Sequence, residues 1–251
     1  MTSRKINQET LQLFLNSKTA NKYLGGFTSN CVFNLPLIVL PRNAKIHLSL
    51  QSASIPFSFY NVDYFNNKLV YSVNDGSNIT IEIPQGNYST TSLRNYLLTA
   101  MTGFLITYSS LNNTFTFTHP TYNFQFKSSS TCMEILGFDE NDNYPSSANV
   151  LTSINSINLF TIRNIYITSN NLSLNNINNS TPNLCNILAS IPLTSGANSV
   201  ITYSNMNNIK TAVNDIKNFT LLQLALTDQD GDILDLNGCH WSMTLQIDYA
   251  Y

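Results

Sequence analysis

NFTLLQLALTDQDGDILDLNGCHWSMTLQIDY, residues 218–249, reads as two long β-strands joined by an acidic turn. In the second half, Trp241, Met243, Leu245, Ile247 and Tyr249 alternate with Ser242, Thr244, Gln246 and Asp248. A strict two-residue period sends one set of side chains to a core and the other away from it. This predicts Trp241, Leu245 and Ile247 inside and Ser242, Thr244 and Gln246 outside. In the first half Leu222, Leu224 and Leu226 line one face, with Leu221 and Ala225 on the other. The Asp-Gly and Asn-Gly pairs between the halves are strong turn formers. Two such strands need partners from earlier in the chain.

The earlier sequence supplies them. Cys31, Phe33 and Leu35 alternate, and Ile46, Leu48 and Leu50 form a half-buried strand. Short strands are predicted over 69–73 and 79–83, around Phe115 and Phe117, around Phe124 and Phe126, and over 160–168, 184–193 and 200–203. Only once does the period change to that of a helix. Leu93, Tyr96, Leu97, Ala100, Met101 and Phe104 share one helical face, with Ser89 as N-cap and Gly103 as the stop. Residues 132–138 read as a single apolar turn, and the Asn- and Ser-rich stretch 170–183 as an exposed loop. Many short strands with one helix point to a β-sandwich or jelly roll. Residues 1–26 read as an N-terminal arm without a core of its own, and residues 27–251 as a jelly-roll domain.

Charged residues are only 10% of the 251, against a usual ~25%. Asn is about one residue in seven. The surface is therefore largely neutral amide and hydroxyl, which resists close approach of neighbours weakly. Net charge is −2 with no basic run, which argues against nucleic acid as a partner. No apolar stretch is long enough for a membrane span, and no secretory signal is visible. Cys31, Cys132, Cys185 and Cys239 show no paired spacing, and read as small buried hydrophobes in a reducing compartment.

Catalytic and metal-binding patterns are largely missing. The three histidines, His47, His119 and His240, have no metal-ligand spacing, and no P-loop, nucleophile elbow or Gly-rich nucleotide motif is present. Asp228, Asp230, Asp232 and Asp235 resemble a calcium loop. However, an EF-hand needs Gly at its sixth position and Glu at its twelfth, where this chain has Gly231 at the fourth and Cys239 at the twelfth. The turn reads as a solvated strand connection. A carbohydrate-binding or carbohydrate-cleaving jelly roll is the main rival in function. It would draw on Tyr60, Tyr64, Tyr122 or Tyr144 with Asp63 or Asp142.

Four stretches occur in a fixed order: Ser54–Asn61 (SIPFSFYN), Ile83–Ser89 (IPQGNYS, with Pro84, Gly86, Asn87 and Tyr88), Ile135–Phe138 (ILGF, with Leu136 and Gly137) and Asp235–Ser242 (DLNGCHWS, with Leu236, Asn237, Gly238 and Trp241). Together they resemble the penton (minor capsid) proteins of virophages, polinton-like viruses and related large DNA viruses. The resemblance covers roughly Phe27 to Tyr249. It implies a single jelly roll that forms homo-pentamers at the five-fold vertices of an icosahedral shell, beside the major capsid protein of the same virion. It also implies no catalysis and no cofactor, and structural roles for the motif residues. Some members carry a large domain between jelly-roll strands, for which this chain is expected to have little room. Gly86 or Asn87 is expected at positive φ, in a turn from strand to helix.

Overall fold

The computed structural model describes residues 8–39, 44–174, 176–178, 181–214 and 218–251. The chain is an all-β jelly-roll sandwich with a single α-helix among the described residues, and it divides into two compact units. Unit 1 comprises residues 1–59 and 162–251, and unit 2 residues 60–161.

Unit 1 begins with β1 (Gln8–Asn16), β2 (Lys22–Tyr23), β3 (Asn30–Val39) and β4 (Lys45–Pro56). Unit 2 holds β5 (Lys68–Val73), β6 (Ile79–Glu82), α1 (Thr90–Ala100), β7 (Leu105–Ser109), β8 (Thr114–Thr118), β9 (Phe124–Phe126), β10 (Tyr144–Pro145) and β11 (Val150–Thr152). The chain then returns to unit 1 through β12 (Asn164–Thr168), β13 (Ser173–Leu174), β14 (Asn176–Asn178), β15 (Thr181–Cys185) and β16 (Ile187–Pro192). It finishes with β17 (Val200–Ser204), β18 (Thr211–Asn214), β19 (Asn218–Thr227) and β20 (Ser242–Ala250).

One sheet of unit 1 runs β1-β20-β4-β18-β13, with β17 also on β4, and the other runs β16-β12-β19-β3-β2. From β3 onward the chain passes between these sheets: β3 in the second, β4 in the first, β12 in the second, β13 in the first, β16 in the second, β17 and β18 in the first, β19 in the second. Partners within a sheet are therefore distant in sequence, which is the jelly-roll wrap. β20 extends the first sheet beyond that set, and β1 pairs with it over nine residues. Leu11, Leu13 and Leu15 stand opposite Ile247, Leu245 and Met243. Cross-strand apolar pairs of this kind are what stabilise a sheet, so the predicted arm is ordered from Gln8 onward by its own chain. Its first seven residues lie outside the described set.

The inner faces of the two sheets share one apolar cluster, to which Leu48, Leu50, Leu245 and Ile247 contribute from one side and Phe33, Ile167, Leu222 and Leu224 from the other. Trp241, Leu245 and Ile247 are buried, and Ser242, Thr244 and Gln246 are half-buried on the opposite face, as the alternation predicts. Leu222, Leu224 and Leu226 are fully buried on β19, and Ala225 on its other face is buried too, whereas Leu221 remains exposed.

Unit 2 has its own apolar cluster, built from Leu93, Leu97 and Met101 of the helical face and from Phe115, Phe117, Phe126 and Phe138. Two sheets contribute, β10-β9-β5-β6 and β11-β8-β7. Ser89 caps α1 by accepting from Ser92 N, and Ser89 N donates in turn to Ser92 Oγ, which completes a capping box.

Three expectations change. The jelly roll is not continuous from 27 to 251, because residues 60–161 form a unit with a separate core between β4 and β12. The short strands and the helix of this segment bury their apolar faces on one another, a partition that local periodicity cannot reveal. The stretch 170–183 is not simply a loop: it contains β13, β14 and the start of β15, and Leu172 and Leu174 are buried. At the other end of that region, strand structure begins at Asn164, and Phe160 is exposed.

Candidate functional site

The four stretches behind the resemblance fall at points of dense local bonding. In unit 2, Asn61 and the Asn87-Tyr88 pair clasp each other. The Asn61 side chain accepts from Tyr88 N at 2.8 Å and donates to Tyr88 O at 2.8 Å, and Asn61 N donates to Asn87 Oδ1 at 3.1 Å. Val62 and Gly86 form a two-bond antiparallel bridge beside the clasp, at 2.9 and 3.1 Å. Tyr88 Oη closes the turn by donating to Pro84 O at 2.8 Å. Neither Gly86 nor Asn87 has positive φ. The predicted left-handed turn is thus corrected: strand-like pairing with Val62 holds this segment instead.

In residues 132–138, Leu136 N donates to Cys132 O, one turn of α-helix. Gly137 ends it at φ +80°. Phe138 N then donates to Met133 O at 2.9 Å and Gly137 N to Glu134 O at 3.0 Å, the two bonds of a Schellman cap. A Cβ on Gly137 would lie 2.4 Å from the Asn155 carbonyl oxygen. Ser153 Oγ donates to Leu136 O at 2.6 Å, and Leu136 and Phe138 are buried.

In unit 1, Asp235 Oδ1 accepts from Asn237 N at 2.8 Å. Asn237 and Gly238 have φ of +49° and +76°, and Cys239 N donates to Leu236 O at 2.9 Å. Two consecutive positive φ values at the centre of a turn select Asn-Gly. The turn is anchored on Ser58, whose Oγ donates to Leu236 O at 2.7 Å and whose carbonyl accepts from Asn237 Nδ2 at 2.5 Å. Trp241 follows, almost fully buried. Its Nε1 donates to Thr28 O and its backbone N to Ser17 Oγ, both at 2.9 Å, and Phe33 meets it edge-on at 5.9 Å.

The polar groups at these sites are engaged in local hydrogen bonds. Ser17 Oγ lies 3.2 Å from His240 Nδ1 and accepts from Trp241 N, and Ser17 is fully buried. Asp228 Oδ1 accepts from the backbone N of Asp230 and of Asp232, both at 2.9 Å, so it holds its own turn. Burial raises the Asp228 pKa above the ordinary value, against the lowering effect of these two bonds. Among the described residues no three His, Cys, Asp or Glu side chains are grouped to hold a metal. No helix among them is long and apolar enough to cross a membrane. Burial pushes the Cys31 and Cys132 thiols up to about 12. Cys239 is exposed, contrary to the expectation of a buried residue, and is the last residue of the Asn-Gly turn. The Cys185 side chain lies outside the described set.

The residues named for the carbohydrate reading are dispersed. Tyr144 Oη accepts from Asp139 N, and its ring packs on Phe138. The Tyr64 ring lies tilted against Phe65 with centroids 3.9 Å apart, and Asp63 Oδ1 accepts from Phe65 N. Tyr60 is half-buried and Asp142 exposed. Tyr122 lines a cleft, together with Asp75, which the sequence analysis did not single out.

No protein-family model and no curated protein sequence matches the chain. Among solved structures it is similar to the mavirus penton protein, with 14% identity over 97% of this chain and 99% of that one and a TM-score of 0.48. It is also similar to a chain of the Sputnik virophage structure determined by cryo-EM, with 13% identity over 96% and 97% and a TM-score of 0.45.

Proposed function

We propose that this chain is a structural protein of an icosahedral virus shell, specifically a penton (minor capsid) subunit without enzymatic activity. It assembles as a closed homo-pentamer at the five-fold vertices, through head-to-tail contacts between jelly rolls, and abuts the major capsid protein of the same virion. Its place is the virion, after assembly inside the host cell; nucleic acid and membrane are not its partners. A jelly roll by itself implies no function. The observation that carries the reading is the ordered set of four stretches, each located where the fold has dense side-chain-to-backbone bonding. Their roles are to hold the scaffold: Pro84, Gly86, Asn87 and Tyr88 in the Asn61 clasp, Leu136, Gly137 and Phe138 in the Schellman turn, and Asp235, Leu236, Asn237, Gly238 and Trp241 in the Ser58-anchored corner. The charge-poor surface supports close approach of subunits.

The test is a reconstruction of intact particles by cryo-EM. This chain is expected as a ring of five at the vertices. Its absence there, or another stoichiometry, overturns the assignment.

A further inference from the structure

A cleft of about 420 Å³ opens at one end of the β10-β9-β5 sheet of unit 2. Segments flanking three adjacent strands form it: the Asn74-Asp75 turn after β5, residues 121–123 before β9, and residues 146–149 after β10. Hydrogen bonds from backbone N–H groups tie them together. Asn74 N donates to Asn123 O at 2.8 Å, Asn149 N to Asn123 Oδ1 at 2.9 Å, and Ser146 N to Phe124 O at 2.7 Å. The cleft is thus preformed, which lowers the entropic cost of taking a ligand.

Tyr122 lies on its rim, 47% exposed. The His119 ring stands behind it at 5.6 Å, with the Phe104 ring a further 5.1 Å beyond, and Tyr122 N donates to His119 Nδ1 at 3.0 Å. A half-exposed ring braced in this way is a fixed flat platform. Around it, the side chains of Asn74, Asp75 and Asn149 make no hydrogen bond to any described residue, so their donors and acceptors face solvent. Asp75 is the only charged residue of the lining. One aromatic face with convergent uncharged amides suits a molecule with an apolar C–H face and many hydroxyls. A lone carboxylate with no cation disfavours anions.

We propose that this cleft binds a neutral glycan, with a sugar ring stacked on Tyr122 and its hydroxyls bonded to the Asp75 carboxylate and the Asn74 and Asn149 amides. The cleft is assigned binding and not cleavage: most glycoside hydrolases use a facing pair of carboxylates, and a single one lines this cleft. This site goes beyond the capsid reading and does not depend on it.

The experiment is saturation-transfer NMR and calorimetric titration of the full chain. The probes are neutral glycosides of glucose, galactose, mannose and N-acetylglucosamine with their short oligomers, and sialyllactose as the anionic control. At least one neutral glycan is expected to bind with a Kd on the order of millimolar or tighter, and sialyllactose no better. Tyr122→Ala and Asp75→Asn should each weaken binding about tenfold or more; Asp75→Asn should leave the melting temperature unchanged, because the exposed Asp75 has a left-handed φ of +54° that Asn adopts readily. The proposal is overturned if no neutral glycan binds, if both variants bind as the parent does, or if the anionic sugar is preferred. Vertex occupancy is measured separately, so failure here leaves the capsid reading standing.

Discussion

Two glycines in the motif stretches make opposite demands. Gly137 has left-handed φ, and an added Cβ would stand 2.4 Å from the Asn155 carbonyl oxygen, so backbone must move. Gly137→Ala should destabilise the protein by about 2–4 kcal/mol, combining the conformational penalty with overpacking. At Gly86 the same Cβ would meet only the Tyr88 ring edge at 3.5 Å, an ordinary contact, and φ is not left-handed. Gly86→Ala should therefore lie within about 0.5 kcal/mol of the parent. Denaturant titration of the two variants side by side checks both values; equal losses would refute the distinction.

At the scale of elements, the sheet formed by β1, β20 and β4 carries a buried acid. Asp248 on β20 accepts from Thr10 of β1 at 2.6 Å and from Gln246 at 3.0 Å, and pairs with Lys210 Nζ at 2.6 Å. His47 of β4 stands opposite it in register, exposed. Burial alone would raise the Asp248 pKa, but the bonds from Lys210, Thr10 and Gln246 outweigh it and hold the carboxyl below its ordinary value. The folded pKa therefore lies below the unfolded value of ~3.9. Its stabilisation is fully present above that value and is lost as pH falls through the folded one. Asp248→Asn should lower stability at neutral pH and flatten its decline below pH ~4. Unfolding free energies measured across that range decide it: if parent and variant decline in parallel, Asp248 does not contribute.

For the whole molecule, two separate apolar clusters replace the one expected, each inside its own unit. Compact units with their own cores need not unfold together. Scanning calorimetry should give a calorimetric enthalpy larger than the van't Hoff value, and Gly137→Ala should shift only the component belonging to residues 60–161. A single transition with equal enthalpies would show the two cores unfolding as one. Only 10% of the residues are charged, so few are available for ion pairs between subunits, and pentamer assembly, as proposed, should depend weakly on salt.

What the sequence determined by itself was local. The period of two in 241–249 settled which side chains of β20 face the core, because a one-residue slip would expose Trp241. The helical face of Leu93, Leu97 and Met101 and the Ser89 cap were legible for the same reason: periodicity and capping act within a few residues. The tertiary structure alone decided which strands share a core. Residues 60–161 carry the same alternation as the jelly-roll strands, and nothing local distinguishes a strand of one core from a strand of the other. Tyr122 was a candidate from the sequence, but its neighbours in the cleft were not legible, since Asp75, Tyr122 and Asn149 are far apart in the chain and meet only through the pairing of β5, β9 and β10. Gly86 shows the converse. Its Pro-Gln-Gly-Asn context reads as a left-handed turn, yet long-range pairing with Val62 outweighed that local preference.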